Sequence, residues 1–224
     1  MKRSVYFPHT IVDGFFDDPY VVRRLALEQK YYNDINYEWP GKRTVNLCDS
    51  HPDFFYRTIT KISSLFYHRG GSYNYQAEGY FQLVDKNYGS GWVHSDIPRA
   101  MTAIFYLSPE GNQGTSLYSI KDPLMNSNVI VNLNNDKRTS IKNFGSAPES
   151  CEINNSFFEE NLNVKGLFNR MFLFDSFHWH AAHNFFGEGE DSSRLTLVVF
   201  FDFFTSTVDL PIQRMVVNND GSGF

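Results

Sequence analysis

EGYFQLVDKNYGSGWVHSDIPRAMTAIFYL, residues 78–107, decides how the chain folds. Its two ends, 78–84 and 101–107, are short runs rich in Phe, Tyr, Ile, Val and Thr, the residue types that fit a pleated, half-buried surface. Asp85, Asn87, Gly89, Gly91 and Pro98 punctuate the middle as turn formers do. Strands are expected at 78–84, 92–95 and 101–107. The same texture begins at Tyr73 and continues, with further strands at 115–119, 170–175, 178–183 and 194–204. Many short strands separated by turn signals point to a mainly β sandwich or jelly roll.

The chain before Tyr73 has a different pattern. Val5, Phe7 and Ile11 alternate loosely in an opening strand over 4–12, and Pro8 confines it to a sheet edge. Asp18 before Pro19 is an N-cap followed by a proline at the first helical position. Val22, Leu25 and Ala26 follow at helical spacing and predict a helix over 19–30. Trp39-Pro40-Gly41 is a turn signal. A second helix starts near Pro52, where Phe55, Ile59, Ile62 and Phe66 form one apolar stripe. Both helices are expected to pack on the outside of a sheet. Residues 120–168 are polar and asparagine-rich. They read as a lid, an insertion with small elements of its own, or a partly disordered stretch, with a short helix over Asn155–Leu162. The tail 218–224 reads as a frayed end.

A chain of 224 residues with 42% hydrophobic content allows one large domain with a substantial core. The expected division is 1–73 for the opening strand and supporting helices, and 74–217 for a jelly-roll core carrying the insertion 120–168. Net charge is −5 and no block of Lys or Arg stands out, so nucleic acid is not an expected partner. No apolar stretch approaches the length of a membrane span. Cys48 and Cys151 are far apart, which fits a reducing cytoplasm better than a disulfide framework.

The chemistry concentrates at His94-Ser95-Asp96. Two positions apart on an extended segment, His94 and Asp96 point to the same face. A second imidazole from another strand would complete a set of two histidines and one carboxylate. Such a set holds Fe(II) and leaves about three coordination positions open, as non-haem iron oxygenases require. His178, His180 and His183 compete for that place. Each feature alone has a plainer explanation, since most single histidines serve the core or the surface. The conjunction in strand-like sequence is what points to a metal. His9, His51 and His68 are expected to face solvent, Trp92 and Trp179 to pack in the core, and Asp175 to serve a turn.

Three segments resemble the 2-oxoglutarate/Fe(II)-dependent dioxygenases, in the prolyl-hydroxylase-like branch. Tyr88-Gly89-Ser90-Gly91-Trp92-Val93-His94-Ser95-Asp96 resembles the family's segment of Tyr, then Gly, then His-x-Asp. Phe174-Asp175-Ser176-Phe177-His178-Trp179-His180 is similar to its Phe-x-Ser-x-x-x-His. Arg194-Leu195-Thr196-Leu197 is similar to its Arg-x-Ser/Thr strand. Order and approximate spacing match over 80–204. The opening segments Val12–Pro19 and Pro40–Arg43 also look like uncharacterised phage and bacterial members.

The resemblance implies a double-stranded β-helix (jelly roll, cupin-like) with flanking N-terminal α-helices. It implies Fe(II) held by His94, Asp96 and His180, with 2-oxoglutarate as co-substrate and O2 as oxidant. Arg194 would pair with the far carboxylate of 2-oxoglutarate through its planar fork. Thr196, on the same strand face, and the phenol of Tyr88 would hydrogen-bond the same molecule. Gln82 and Arg99 are candidate substrate contacts. The reaction implied is hydroxylation of an unactivated C–H of an amino acid, peptidyl residue or small metabolite, with release of succinate and CO2. Asp96 favours hydroxylation over halogenation, because halogenating relatives replace this acid with Gly or Ala. One departure stands out. Arg194 follows His180 by fourteen positions, longer than the family's spacing, and His183 by eleven, which keeps His183 as an alternative ligand. Two other classes are weighed: a cupin-like metal enzyme that does not use 2-oxoglutarate, and a non-catalytic structural or binding jelly roll of a phage.

Overall fold

The computed structural model describes residues 9–33, 39–66, 72–122 and 148–207. The longest strand, Arg194–Ser206, shows how the architecture arises. Alternation sends Leu195, Leu197, Val199 and Phe201 to one face and Arg194, Thr196, Val198 and Phe200 to the other, and all eight are buried. A strand buried on both sides must lie between two layers.

Those layers are two antiparallel sheets and a pair of helices. In chain order the strands are β1 (His9–Val12), β2 (Tyr32–Asn33), β3 (Lys42–Arg43), β4 (Tyr73–Val84), β5 (Met101–Tyr106), β6 (Thr115–Ile120), β7 (Phe158–Val164), β8 (Met171–Asp175), β9 (Trp179–Ala182) and β10 (Arg194–Ser206). The larger sheet runs β1-β8-β5-β10-β4-β3-β2, and the smaller β7-β6-β9. Facing sheets of this kind, with helices outside, make the expected double-stranded β-helix. The central register sets Thr196 opposite Gln82 on β4 and opposite Tyr106 on β5.

Helices α1 (Pro19–Leu27), α2 (Leu47–Ser50) and α3 (Pro52–Ser63) precede β4. Asp18 caps α1 by accepting the Val21 N–H at 3.0 Å. Val22 and Ala26 of α1 and Phe55, Ile59 and Ile62 of α3 join Phe81, Leu83, Phe105, Leu195, Leu197 and Val199 in the main core. Burying each large apolar side chain contributes about 1.5–3 kcal/mol. The helix expectation over 19–30 runs three residues past the observed end. The fourth member of the α3 stripe falls in a 3-10 turn, Ser64–Phe66. A second core, Ile104, Tyr106, Leu117, Val164, Phe172 and Phe174, joins the two sheets.

Two expectations are corrected. Residues 92–95 form no strand. Only His94 makes a β-bridge, to His180. The backbone before it is held by side chains of α4 (Pro148–Ser156) instead. The Val93 N–H donates to Asn155 Oδ1 at 2.9 Å, and Asn154 Nδ2 donates to the Val93 carbonyl at 3.0 Å. Asn155 Nδ2 donates to the Gly91 carbonyl at 2.9 Å. The helix expected over 155–162 lies earlier in the chain: α4 ends at Ser156 and β7 begins at Phe158. The range 120–168 therefore supplies an edge strand of the smaller sheet, while 123–147 lie outside the described residues. So do 4–8, His68 and the tail 218–224, and β1 is an edge strand as Pro8 implied. Among the described residues no helix is long and apolar enough to cross a membrane.

Candidate metal centre

The bridge between residues 94 and 180 brings two imidazoles together. The ring centroids of His94 and His180 lie 4.4 Å apart. Asp96, two residues on, turns its carboxylate between them: Oδ1 is 3.5 Å from His94 Nε2 and Oδ2 is 3.3 Å from His180 Nε2. One ligand atom from each of the three residues lies within 4.8 Å of the other two.

The protonation of the rings suits a cation. Nδ1 of His94 is 2.7 Å from the Trp92 carbonyl, and Nδ1 of His180 is 2.8 Å from the His178 carbonyl. A carbonyl only accepts, so each Nδ1 donates to it, and Nε2 is left as the atom of each ring that would meet a metal. Metal-ligating histidines are oriented by this kind of bond. Burial works to raise the carboxyl of Asp96, but the two imidazoles outweigh it and hold the group well below the usual carboxylate range. The hydroxyl of Thr102 donates to Asp96 Oδ2 at 2.7 Å.

These groups line a cavity of about 350 Å³ between the sheets. Arg194 enters it from β10. Its side chain is buried, 5% exposed as a residue, and Nε has no hydrogen-bond partner among the described residues. Burial pushes its pKa down, partly countered by Tyr106. The guanidinium rests 5.6 Å from the Tyr106 ring and 5.8 Å from the Phe185 ring. Thr196 Oγ1, Tyr106 Oη and Thr115 Oγ1 are also buried without a hydrogen-bond partner among the described residues. Orphaned buried polar atoms are costly, and a buried guanidinium is a donor that a carboxylate satisfies.

The long spacing between His180 and Arg194 closes on itself. Gly187 and Gly189 adopt φ of 79° and 81°, and a Cβ at 187 would meet the Ser192 carbonyl at 2.0 Å. Ser193 N–H and Oγ both donate to the Gly189 carbonyl. Arg23 of α1 fastens this turn, donating to the carbonyls of Asp191 at 2.6 Å and Leu107 at 2.8 Å. The extra residues form a tied turn and Arg194 still enters the cavity.

His183 stands apart from the cluster. Its Nε2 contacts Ser116 Oγ, lies 3.1 Å from Asn163 Nδ2 and 3.7 Å from Glu160. His178 contributes only its carbonyl. Tyr88 lies in a 3-10 turn with its ring edge-on to Phe185, 6.4 Å away, and does not line the cavity. Neither does Thr196, and the phenol beside Arg194 is that of Tyr106, which also lies outside the lining. Its position was readable only as one face of β5, with Thr102 and Ile104, because the register against Thr196 is a tertiary fact.

Gln82 and Arg99 both line the cavity. Gln82 donates to the Pro40 carbonyl at 2.8 Å and accepts from Arg43 at 3.3 Å. Arg99 pairs with Glu78 at 3.1 Å and Asp202 at 3.2 Å, 4.5 Å above the Phe200 ring. Trp39, Arg43 and Phe200 line it too and were not read from the sequence as cavity residues. No residue of α1 or α3 lines the cavity, since those helices cover the opposite face of the larger sheet. Of the remaining aromatic and acidic residues, Trp179 packs on Phe158 at 4.9 Å, and Asp175 caps its own turn by accepting the Phe177 N–H at 3.2 Å.

The fold has solved counterparts. HygX from Streptomyces hygroscopicus with nickel and 2-oxoglutarate bound superposes with a TM-score of 0.52 at 13% identity, over 88% of this chain and 83% of that one. The same protein with iron bound gives 0.51 at 13% identity, over 88% and 82%. With nickel, 2-oxoglutarate and hygromycin B it gives 0.51 at 11% identity, over 88% and 83%. At such identities the likeness is one of fold. No curated protein matches the sequence. Residues 6–201 match the model described as a family of unknown function, DUF6445, and the chain belongs to that family.

Proposed function

We propose that the chain is a 2-oxoglutarate- and Fe(II)-dependent oxygenase that hydroxylates an unactivated C–H of an amino acid, peptidyl residue or small metabolite. One observation carries the reading: Arg194, a buried cation with no carboxylate partner among the described residues, opens into the same cavity as His94, Asp96 and His180. A metal centre alone would not need it. An oxidised dicarboxylate that chelates the metal at one end and carries a carboxylate at the other does. HygX, which shares the fold, has been seen with nickel or iron and with 2-oxoglutarate, and this supports the assignment.

The donor set fits the ion. His94 and His180 offer neutral imidazole nitrogens and Asp96 a carboxylate oxygen, the combination used by Fe(II) oxygenases with positions left open. When bound, Fe(II) supplies O2 activation coupled to oxidative decarboxylation of 2-oxoglutarate. The protein's part is positional. Arg194 neutralises and orients the far carboxylate, and Thr196 and Tyr106 offer it hydroxyl hydrogen bonds. Ile104, Val198 and Phe185 keep water from that end, where the ion pair is then strong. Gln82 and Arg99, on the cavity wall, face the place left for substrate. A cytoplasmic location is part of the same reading.

The test is spectroscopic. Anaerobic addition of Fe(II) and 2-oxoglutarate should give a weak visible charge-transfer band, absent in His94→Ala. No band, together with no thermal shift from the two ligands, would overturn the assignment. Succinate release across an amino-acid and peptide panel then identifies the substrate.

A further inference from the structure

Of the three metal donors, the two imidazoles are fixed by their Nδ1 bonds, but a carboxylate turns freely about its last torsion, which is broad and roughly two-fold. Something else must set Asp96. Thr102 Oγ1 lies 2.7 Å from Asp96 Oδ2 and 2.8 Å from Ser176 Oγ. An ionised carboxylate only accepts, so Thr102 spends its single proton on Asp96. The contact with Ser176 then has one possible direction, with Ser176 donating. The order Ser176 to Thr102 to Asp96 is fixed by counting protons.

Ser176 holds Asp96 by a second route, since its carbonyl accepts the Asp96 N–H at 2.9 Å. Thr102 and Ser176 are 1% and 0% exposed, so water does not replace either hydroxyl. Thr102 sits on β5 between β8 and β10, and its β-branched side chain has little torsional freedom. Among the described residues Oδ1 has no hydroxyl partner and faces Nε2 of His94 at 3.5 Å, while Oδ2, besides its bond from Thr102, lies 3.3 Å from Nε2 of His180.

We propose that Thr102 and Ser176 are positioning residues that hold Oδ2 of Asp96, so that the carboxylate offers the metal Oδ1 alone and leaves the remaining positions for co-substrate and O2. This rests on the reading of His94, Asp96 and His180 as a metal centre. It gives Ser176 a task that its place in the Phe-x-Ser segment does not disclose.

The test is Ni(II) binding to the apo protein by calorimetry, with apo thermal melting as the control for folding. Thr102→Val keeps the shape and removes the hydroxyl. It should weaken Ni(II) binding about 10-fold, the scale on which partners of metal ligands act. Thr102→Ser restores the hydroxyl and should return affinity close to wild type. Ser176→Ala should weaken binding less than Thr102→Val. Wild-type affinity in Thr102→Val, or a loss in Thr102→Ser equal to that in Thr102→Val, would overturn the proposal. If Thr102→Val does not fold, unchanged affinity in Ser176→Ala overturns it instead. A wild-type chain that binds no Ni(II), Mn(II) or Fe(II) removes the metal centre and this proposal together, whereas metal binding indifferent to Thr102 and Ser176 removes the proposal alone.

Discussion

His94 and His180 exchange both of their backbone hydrogen bonds, N–H to carbonyl, at 3.0 and 2.8 Å, although His94 belongs to no strand. In an antiparallel ladder such a pair stands directly opposite. The exchange sets the two rings side by side and leaves Asp96 to close the third corner. The metal centre is therefore a property of one cross-chain bridge more than of two separate motifs.

That bridge requires a close approach just upstream. A Cβ at Gly91 would sit 2.2 Å from the Ala182 carbonyl oxygen and 2.8 Å from its nitrogen, both backbone atoms that cannot swing away. Gly91→Ala should push 91–94 off β9. Overpacking of this kind costs about 1–3 kcal/mol, and Ni(II) affinity should fall with it because His94 moves. Melting temperature and affinity both equal to wild type would show that the bridge tolerates a wider gap.

What could be read in advance follows from range along the chain. The cap of Asp18 before Pro19 and the stripe of Phe55, Ile59 and Ile62 are local, so α1 and α3 were legible. Runs of β-prone residues bounded by turn formers exposed β4, β5, β8 and β10 for the same reason. Trp92-Val93 looks like a strand because it is apolar, yet its backbone partners are the side-chain amides of Asn154 and Asn155, which no local pattern announces. Residues 157–162 carry Phe157, Phe158 and Leu162 at a spacing that suits either a helix or a strand, and pairing with β6 decides for the strand. His94 and Asp96 were legible by their own spacing. Tyr106 was not, since alternation shows its face but not which residue of a neighbouring strand it will oppose.

If Arg194 is a buried charge kept for the co-substrate, as proposed, its removal should separate stability from binding. Replacing buried ionic groups by apolar ones of similar volume is often stabilising, by about 1–4 kcal/mol. Arg194→Met should therefore raise the apo melting temperature and abolish the thermal shift given by 2-oxoglutarate. In the wild type that shift should correspond to about 2.7 kcal/mol at a hundredfold excess over Kd. A variant less stable than wild type would mean that Arg194 is satisfied without ligand. A retained 2-oxoglutarate shift would mean that the co-substrate carboxylate lies elsewhere.

Tyr106 and Tyr88 divide cleanly. On a strand position opposite Thr196, Tyr106 Oη is buried without a hydrogen-bond partner among the described residues, and burial raises its pKa, so it stays a hydrogen-bond donor through neutral pH. Tyr106→Phe should weaken 2-oxoglutarate binding about 10-fold, since a hydrogen bond to a charged group is worth about 1.5 kcal/mol or more. Tyr88→Phe should leave it unchanged. Calorimetry on the Ni(II)-loaded protein measures both, and the reverse pattern would return the co-substrate role to Tyr88.

His183 should govern part of the acid sensitivity of the fold. Burial lowers its pKa below the ordinary histidine value, with Glu160 partly opposing and Arg194 adding to the shift. The unfolded chain then binds a proton at this site more readily than the folded one. Stability rises with pH wherever the unfolded state holds more protons, so it falls as pH drops below about 6.5 and levels off once the folded-state pKa is passed. His183→Asn removes the titration while leaving an amide to face Ser116. The difference in unfolding free energy between wild type and variant, measured by denaturant titration, should shift in favour of the variant as pH falls from neutrality through that window. A difference that stays constant with pH would show that His183 titrates alike in both states.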